Sequence, residues 1–275
     1  MKRNPSLKFL GATLLFICTI SILPLSAHAA PSKKLSLPSG VPHASAGTQT
    51  LSPAQRRSFE LNEKGASLAK GGKFADAESA FHEAIKLDSG NISAAFNYAS
   101  ILIQNKKAPS AIQFLEGYIQ KTPNDAGLYV RLGDAYFSTK KLDKALQNYE
   151  KALQIEPLTP KVAAKVGTIF AMTERIDDAV QQFLKAVEED PSNPQYLLNL
   201  SNLYLAKGDP AKAISTAKRG LQLKGSSDFY NTLGSAYEQQ SEWKNALISF
   251  QRARDLGDKS EELEQKITTL EKNIH

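Results

Sequence analysis

Along this 275-residue chain, apolar side chains recur at offsets of three and four residues in short runs, and polar turns break the runs at a constant interval. Six alanines, Ala77, Ala111, Ala145, Ala179, Ala213 and Ala246, are spaced by 34, 34, 34, 34 and 33 residues. Twelve residues ahead of them runs a second register of small residues, Gly65, Ala99, Gly133, Gly167, Ser201 and Gly234. Large apolar residues follow each register on the same helical face. Leu68, Leu102, Tyr136, Phe170, Tyr204 and Tyr237 stand three residues after the first set of small positions. Phe81, Leu115, Tyr149, Phe183, Ala217 and Phe250 stand four after the alanines, so only the fifth unit lacks bulk there. Each unit therefore predicts two helices of roughly 14 residues, each about 20 Å long at 1.5 Å per residue. Lys70-Gly71-Gly72, Asn105-Lys106-Lys107, Thr139-Lys140-Lys141 and Gly208-Asp209 separate the two helices, and Pro123, Pro157 and Pro191 end the second one. A fixed period of this length is the mark of a stacked repeat array.

The third unit carries Tyr129, Leu132, Gly133, Tyr136, Ala145, Tyr149 and Pro157, and the sixth Tyr230, Leu233, Gly234, Tyr237, Ala246 and Phe250. This pattern resembles the tetratricopeptide repeat. Six repeats are read at 58–91, 92–125, 126–159, 160–193, 194–226 and 227–260. The resemblance implies an all-α, right-handed α-solenoid of helix-turn-helix repeats, with a concave face lined by the first helix of each. Departures from the pattern carry expectations of their own. The residue closing the second helix is Ala84, Ala152, Ala186 and Ala253, but Tyr118 in repeat two and Gly220 in repeat five. Tyr118 predicts wider or rotated packing towards repeat three. Repeat five is one residue short and ends in Lys224-Gly225-Ser226-Ser227, either a hinge or a trimmed loop that leaves the stacking unchanged.

Outside the array, residues 1–29 have the layout of a secretory signal peptide. Lys2, Arg3 and Lys8 precede an apolar run from Phe9 to Leu23, followed by Pro24 and Ala27-His28-Ala29. Cleavage before Ala30 is expected; the alternative is an uncleaved membrane anchor over 9–25, although the run is short of the roughly 20 residues a span needs. Residues 30–51 read as a flexible linker. Ser52-Pro53-Ala54-Gln55 has the form of a capping box opening the first helix. Residues 261–275 form one helix with Leu263, Ile267, Leu270 and Ile274 on a stripe, either a cap over the last repeat or a surface for homodimerisation.

Cleavage would remove Cys18, the only cysteine, and with it any disulfide. It would also remove three of the 34 basic residues and none of the 28 acidic ones, so the net charge falls from +6 to +3. That is ordinary for solubility and argues against a nucleic-acid partner. His43, His82 and His275 have no cysteine or histidine at ligand spacing, and no phosphate loop, nucleophile elbow or zincin motif occurs. The expectation is a protein without metal or cofactor that is not an enzyme.

Function is then expected in the groove. Two residues before each small position, a site that faces inward in the family, stand Glu63, Asn97, Arg131, Lys165, Asn199 and Thr232. An amide serves both N–H and C=O of a peptide backbone, and arginine grips a carboxylate with two parallel bonds. The resemblance thus implies a groove with a basic middle at Arg131, Lys161 and Lys165, flanked by Asn97 and Asn199. Beside them, Phe96, Val130 and Leu198 offer apolar contacts. The alternative is that these residues are solvated polar positions or internal packing. The family's clamp for chaperone tails is matched only by the last pair, Lys161 and Lys165, so that ligand is not implied. The expected role is a scaffold or adaptor, periplasmic or extracellular, holding a peptide or helix of an envelope protein during assembly of a surface complex. A cell-wall glycan binder is the alternative, disfavoured because Trp243, the sole tryptophan, is read as a core residue of repeat six.

Overall fold

A computed structural model describes residues 51–159 and 161–274, and among them thirteen α-helices and no strand. The expected signal peptide at 1–29 and nearly all of the linker lie outside the described residues. The described chain divides after Thr159 into two compact units. The N-terminal unit holds α1 (Pro53–Lys70), α2 (Phe74–Leu87), α3 (Ile92–Gln104), α4 (Ala108–Ile119), α5 (Ala126–Ser138) and α6 (Leu142–Ile155). The C-terminal unit holds α7 (Val162–Met172), α8 (Ile176–Glu189), α9 (Pro194–Lys207), α10 (Pro210–Leu223), α11 (Ser227–Gln239), α12 (Trp243–Asp255) and α13 (Glu261–Ile274). Within each unit every helix packs on its neighbours in the chain, and the first helices of successive repeats also touch, α1 on α3, α3 on α5, and α9 on α11. Each unit is thus a stretch of all-α solenoid built from antiparallel helix pairs.

The two small-residue registers have one cause. A Cβ at Gly133 would lie 2.5 Å from the Tyr149 ring, and one at Gly234 would lie 2.4 Å from Phe250. Gly65 and Gly167 stand in the same relation to Phe81 and Phe183. The first helix gives up its side chain so that an aromatic ring of the second can lie against its backbone. Repeat two carries Ala99 and Leu115 at the same two positions, and repeat five Ser201 and Ala217, all buried. In repeat two the pair trades size at nearly constant volume, whereas Ser201 and Ala217 together are smaller than the glycine–aromatic pairs.

The turn inside each repeat is also uniform. Gly72, Lys106, Lys140, Glu174, Gly208 and Ser241 all have positive φ, between 59° and 80°. The residue after each donates its N–H to the carbonyl of Leu68, Leu102, Tyr136, Phe170, Tyr204 or Tyr237, five positions back, which closes the first helix. Side chains at the next 34-residue register start the following repeats. Asn91, Asp125, Asn193 and Ser226 accept the first free N–H groups of α3, α5, α9 and α11. In repeat four Thr159 instead donates its hydroxyl to the Glu156 carbonyl, Lys161 takes a left-handed conformation at φ 66°, and α7 begins late, at Val162. The Ser52–Gln55 capping box makes both of its hydrogen bonds.

Both departures in the closing position are accommodated by their surroundings. The Tyr118 ring is buried, and its hydroxyl donates 2.7 Å to the Ser89 carbonyl in the preceding turn. Gly220 is required by Phe229, whose ring would sit 2.2 Å from an added Cβ. At the C-terminus, Leu263, Ile267 and Leu270 of α13 share a core with Ala246, Phe250 and Ala253 of α12. The α13 stripe is therefore covered by the same chain. Trp243 corrects the sequence reading: it is 47% exposed, not a core residue. It opens α12 and lines a surface cleft together with Ile274 at the end of α13.

Candidate partner-binding face

Asn97 and Phe96 lie on α3, and Val130 and Arg131 on α5, all in the N-terminal unit. Asn97 reaches back along the face and donates its amide to Asn62 of α1 at 2.9 Å. That leaves the Asn97 carbonyl oxygen and the Asn62 amide nitrogen pointing at no partner among the described residues. One repeat on, the Arg131 guanidinium lies over the Phe96 ring, 4.2 Å from its centre. One terminal nitrogen of Arg131 donates 2.6 Å to Asp134, and its Nε is buried with no hydrogen-bond partner among the described residues. Asp134 also accepts from the Tyr149 hydroxyl at 2.8 Å. Burial first, and then the Asp134 carboxylate, push the Tyr149 phenol far above its ordinary range. Tyr136 behaves alike: burial and a hydrogen bond to the Glu116 carboxylate push it up to about 12. Both hydroxyls therefore stay protonated donors.

Val130 is buried, so it belongs to the packing beneath the face rather than to its surface. Phe96 is half-buried, with Arg131 on it. The expected basic middle divides between the units: Arg131 belongs to the first, Lys161 and Lys165 to the second. Lys161 is exposed, and its backbone N–H donates 3.2 Å to Glu189. Lys165 is half-buried on α7. On α9, Leu198 and Asn199 are half-buried, and the Asn199 oxygen accepts from Gln195 at 3.1 Å. The inward position of repeat six, Thr232, is buried and donates to Asn202 at 2.8 Å.

Two partners escaped the sequence reading. Asp134 neutralises Arg131, and Asn62 holds Asn97. The first was legible, since an aspartate three residues after an arginine on a helix meets it on the same face. The second depends on a neighbour 35 residues away and needed the stacking to be known. Among the described residues, no group of three His, Cys, Asp or Glu side chains gathers in metal-binding geometry. No described helix is long and apolar enough to cross a membrane.

Three family models match the chain, at residues 68–132, 126–157 and 167–228, each describing the tetratricopeptide repeat. The chain is a tetratricopeptide repeat protein. No curated protein sequence matches it. Among solved structures, pilF of Pseudomonas aeruginosa is similar at 14% identity, with a TM-score of 0.68 over 81% of this chain and 100% of that one. YrrB, described as having an unusual peptide-binding site, is similar at 19% identity, with a TM-score of 0.61 over 71% of this chain and 99% of its own. A chain of the APC/C hetero-tetramer Cut9-Hcn1 gives a TM-score of 0.63 at 13% identity, over 78% of this tetratricopeptide protein but only 43% of that chain. At these identities the likeness establishes the fold. Tetratricopeptide arrays are in general interaction scaffolds without catalysis, and this chain has their architecture.

Proposed function

We propose that this protein is an exported adaptor that holds a peptide or helix of an envelope protein on its first-helix face, in the assembly of an envelope or surface complex. The observation that carries the reading is the pre-positioned polar face of the N-terminal unit. Asn62 ties Asn97, while Phe96 and Asp134 tie Arg131. Side chains already held in one conformation lose little entropy on binding. The open amide groups of Asn97 and Asn62 suit the backbone of an extended ligand, and YrrB, similar in fold, has a peptide-binding site. The export signal over residues 1–29 supports a periplasmic or extracellular location. Mass spectrometry of the processed protein tests this: the chain is expected to begin at Ala30, and an intact N-terminus in the membrane fraction would instead make the segment an anchor.

The test of the face is affinity capture from an envelope extract, with residues 30–275 as bait. A matched bait carries Asn97, Arg131, Lys165 and Asn199 replaced by Ala, with its melting checked against the native chain. Partners retained only by the native bait support the reading. Equal capture by both moves the binding surface elsewhere.

Glycan binding gains one observation as a second reading. Trp243 is half exposed and lines a cleft of about 420 Å³ with Glu242, Asn245, Asn273 and Ile274. An exposed indole beside amide and carboxylate groups suits the apolar face and the hydroxyls of a sugar. Because Trp243 is the only tryptophan, its fluorescence reports on this cleft alone. Titration with soluble cell-wall oligosaccharides would shift the emission if they bind there, and a flat trace removes this reading.

A further inference from the structure

The turns inside the first three repeats stack on one edge of the N-terminal unit, because α1, α3 and α5 pack side by side and each ends in the same left-handed turn. That edge carries Lys70, Lys73, Lys106, Lys107, Lys140 and Lys141, all exposed. The carboxylates beside them are Asp76, Glu78 and Asp143. Among the described residues, only Lys107 of the six is ion-paired, to Glu78 at 2.8 Å. The equivalent turns of the C-terminal unit are mixed in sign, Glu174-Arg175, Gly208-Asp209 and Ser241-Glu242. The unit's exposed large apolar side chains, Leu51, Phe59, Leu87, Ile92 and Leu158, all lie away from this edge, towards the opposite ends of the helices.

We infer that this lysine edge docks on an anionic phospholipid surface and leaves the first-helix face free. The chemistry selects a bilayer among polyanions. Six ammonium groups spread over three stacked turns match a plane of charge rather than a single acidic segment. No exposed aromatic side chain stands among the lysines, whereas single-stranded nucleic acids are gripped by stacking on such rings. With nothing apolar to insert, the contact is electrostatic and reversible. It strengthens with each lysine near the surface and weakens as salt shortens the Debye length. This inference does not rest on the groove reading, since none of its residues belongs to that face, and it requires no export signal.

The experiment is vesicle co-sedimentation with residues 30–275, which retain every described helix, on phosphatidylglycerol-containing and on pure phosphatidylcholine vesicles. Binding is expected only to the anionic vesicles, and raising salt from about 0.05 M to about 0.5 M should release it. A variant with Lys73, Lys106, Lys140 and Lys141 changed to Gln should lose at least about a hundredfold in partitioning. A second variant carries the same charge change at Lys64, Lys86, Lys121 and Lys151, all exposed away from the edge, and should bind like the native chain. Circular dichroism melts of both variants should match the native protein. Three results would overturn the inference: no binding to anionic vesicles at low salt, equal loss in the two variants, or binding to duplex DNA that anionic vesicles fail to compete away.

Discussion

Gly220 shows how a single atom is decided by its neighbour. Other repeats close with alanine, and glycine inside a helix is disfavoured by roughly 0.5–1 kcal/mol. Here the Phe229 ring fills the site that a methyl group would occupy. Gly220→Ala is therefore expected to destabilise by about 1–3 kcal/mol, the usual result of overpacking, despite its better helix propensity. Adding Phe229→Val should restore most of the loss, since Ala152 and Val162 occupy the equivalent positions of repeats three and four. Thermal melts of the single and double variants decide it; a neutral single variant would show that the ring moves aside freely. The Gly–aromatic pairs obey the same logic, and there the trade was open to reading. The large residue follows the small one at a constant 16 positions, and in repeats two and five the two members change size together.

At the scale of the element, the left-handed turn is common to all six repeats, yet only Gly72 and Gly208 are glycines. A left-handed non-glycine residue costs about 1–2 kcal/mol. Glu174→Gly should raise stability by about 1 kcal/mol, and Gly208→Ala should lower it by a similar amount, both measured by denaturant unfolding. Equal midpoints would mean that the turn relaxes on substitution. Between repeats one and two, Glu78 of α2 accepts from Lys107 and Asn105. Burial alone would raise its pKa, but those hydrogen bonds and the lysine charge outweigh it and hold the carboxyl below its ordinary value. A depressed carboxylate contributes stability above its unfolded pKa and loses it as pH falls through the folded value. The melting difference between native and Glu78→Gln proteins should thus be present at neutral pH and vanish in the acid range, below the ordinary carboxylate pKa. A difference independent of pH would assign the effect to packing.

At the scale of the whole chain, repetition supplies its own core, so no disulfide or metal is needed to explain how it holds together. What repetition leaves over is a final apolar face, and α13 covers it. Ile267→Ala should cost about 2–5 kcal/mol because that side chain is buried in the core shared by α12 and α13. An oligomer-dependent melting temperature would instead show that a second copy shares the stripe. Repetition also lays side chains of one register along a line. The two proposed surfaces lie on separate lines, an amide and guanidinium face and a lysine edge.

The period, the helix pairs, their turns and the family were legible in the sequence, because each depends on residues three, four or 34 positions apart and the backbone makes those spacings geometric. The small registers and the aromatic positions needed nothing more. Which inward side chains are already engaged was decided only by the tertiary structure. Asn97 and Phe96 are partnered by Asn62 and Arg131, 35 residues away, and that step exists only once repeats stack at a particular angle. Trp243 was misread for the same reason. Its position in the repeat is apolar throughout, but the ring stands 47% exposed beside Ile274 of α13. Exposure is a property of neighbours, and local pattern does not contain them.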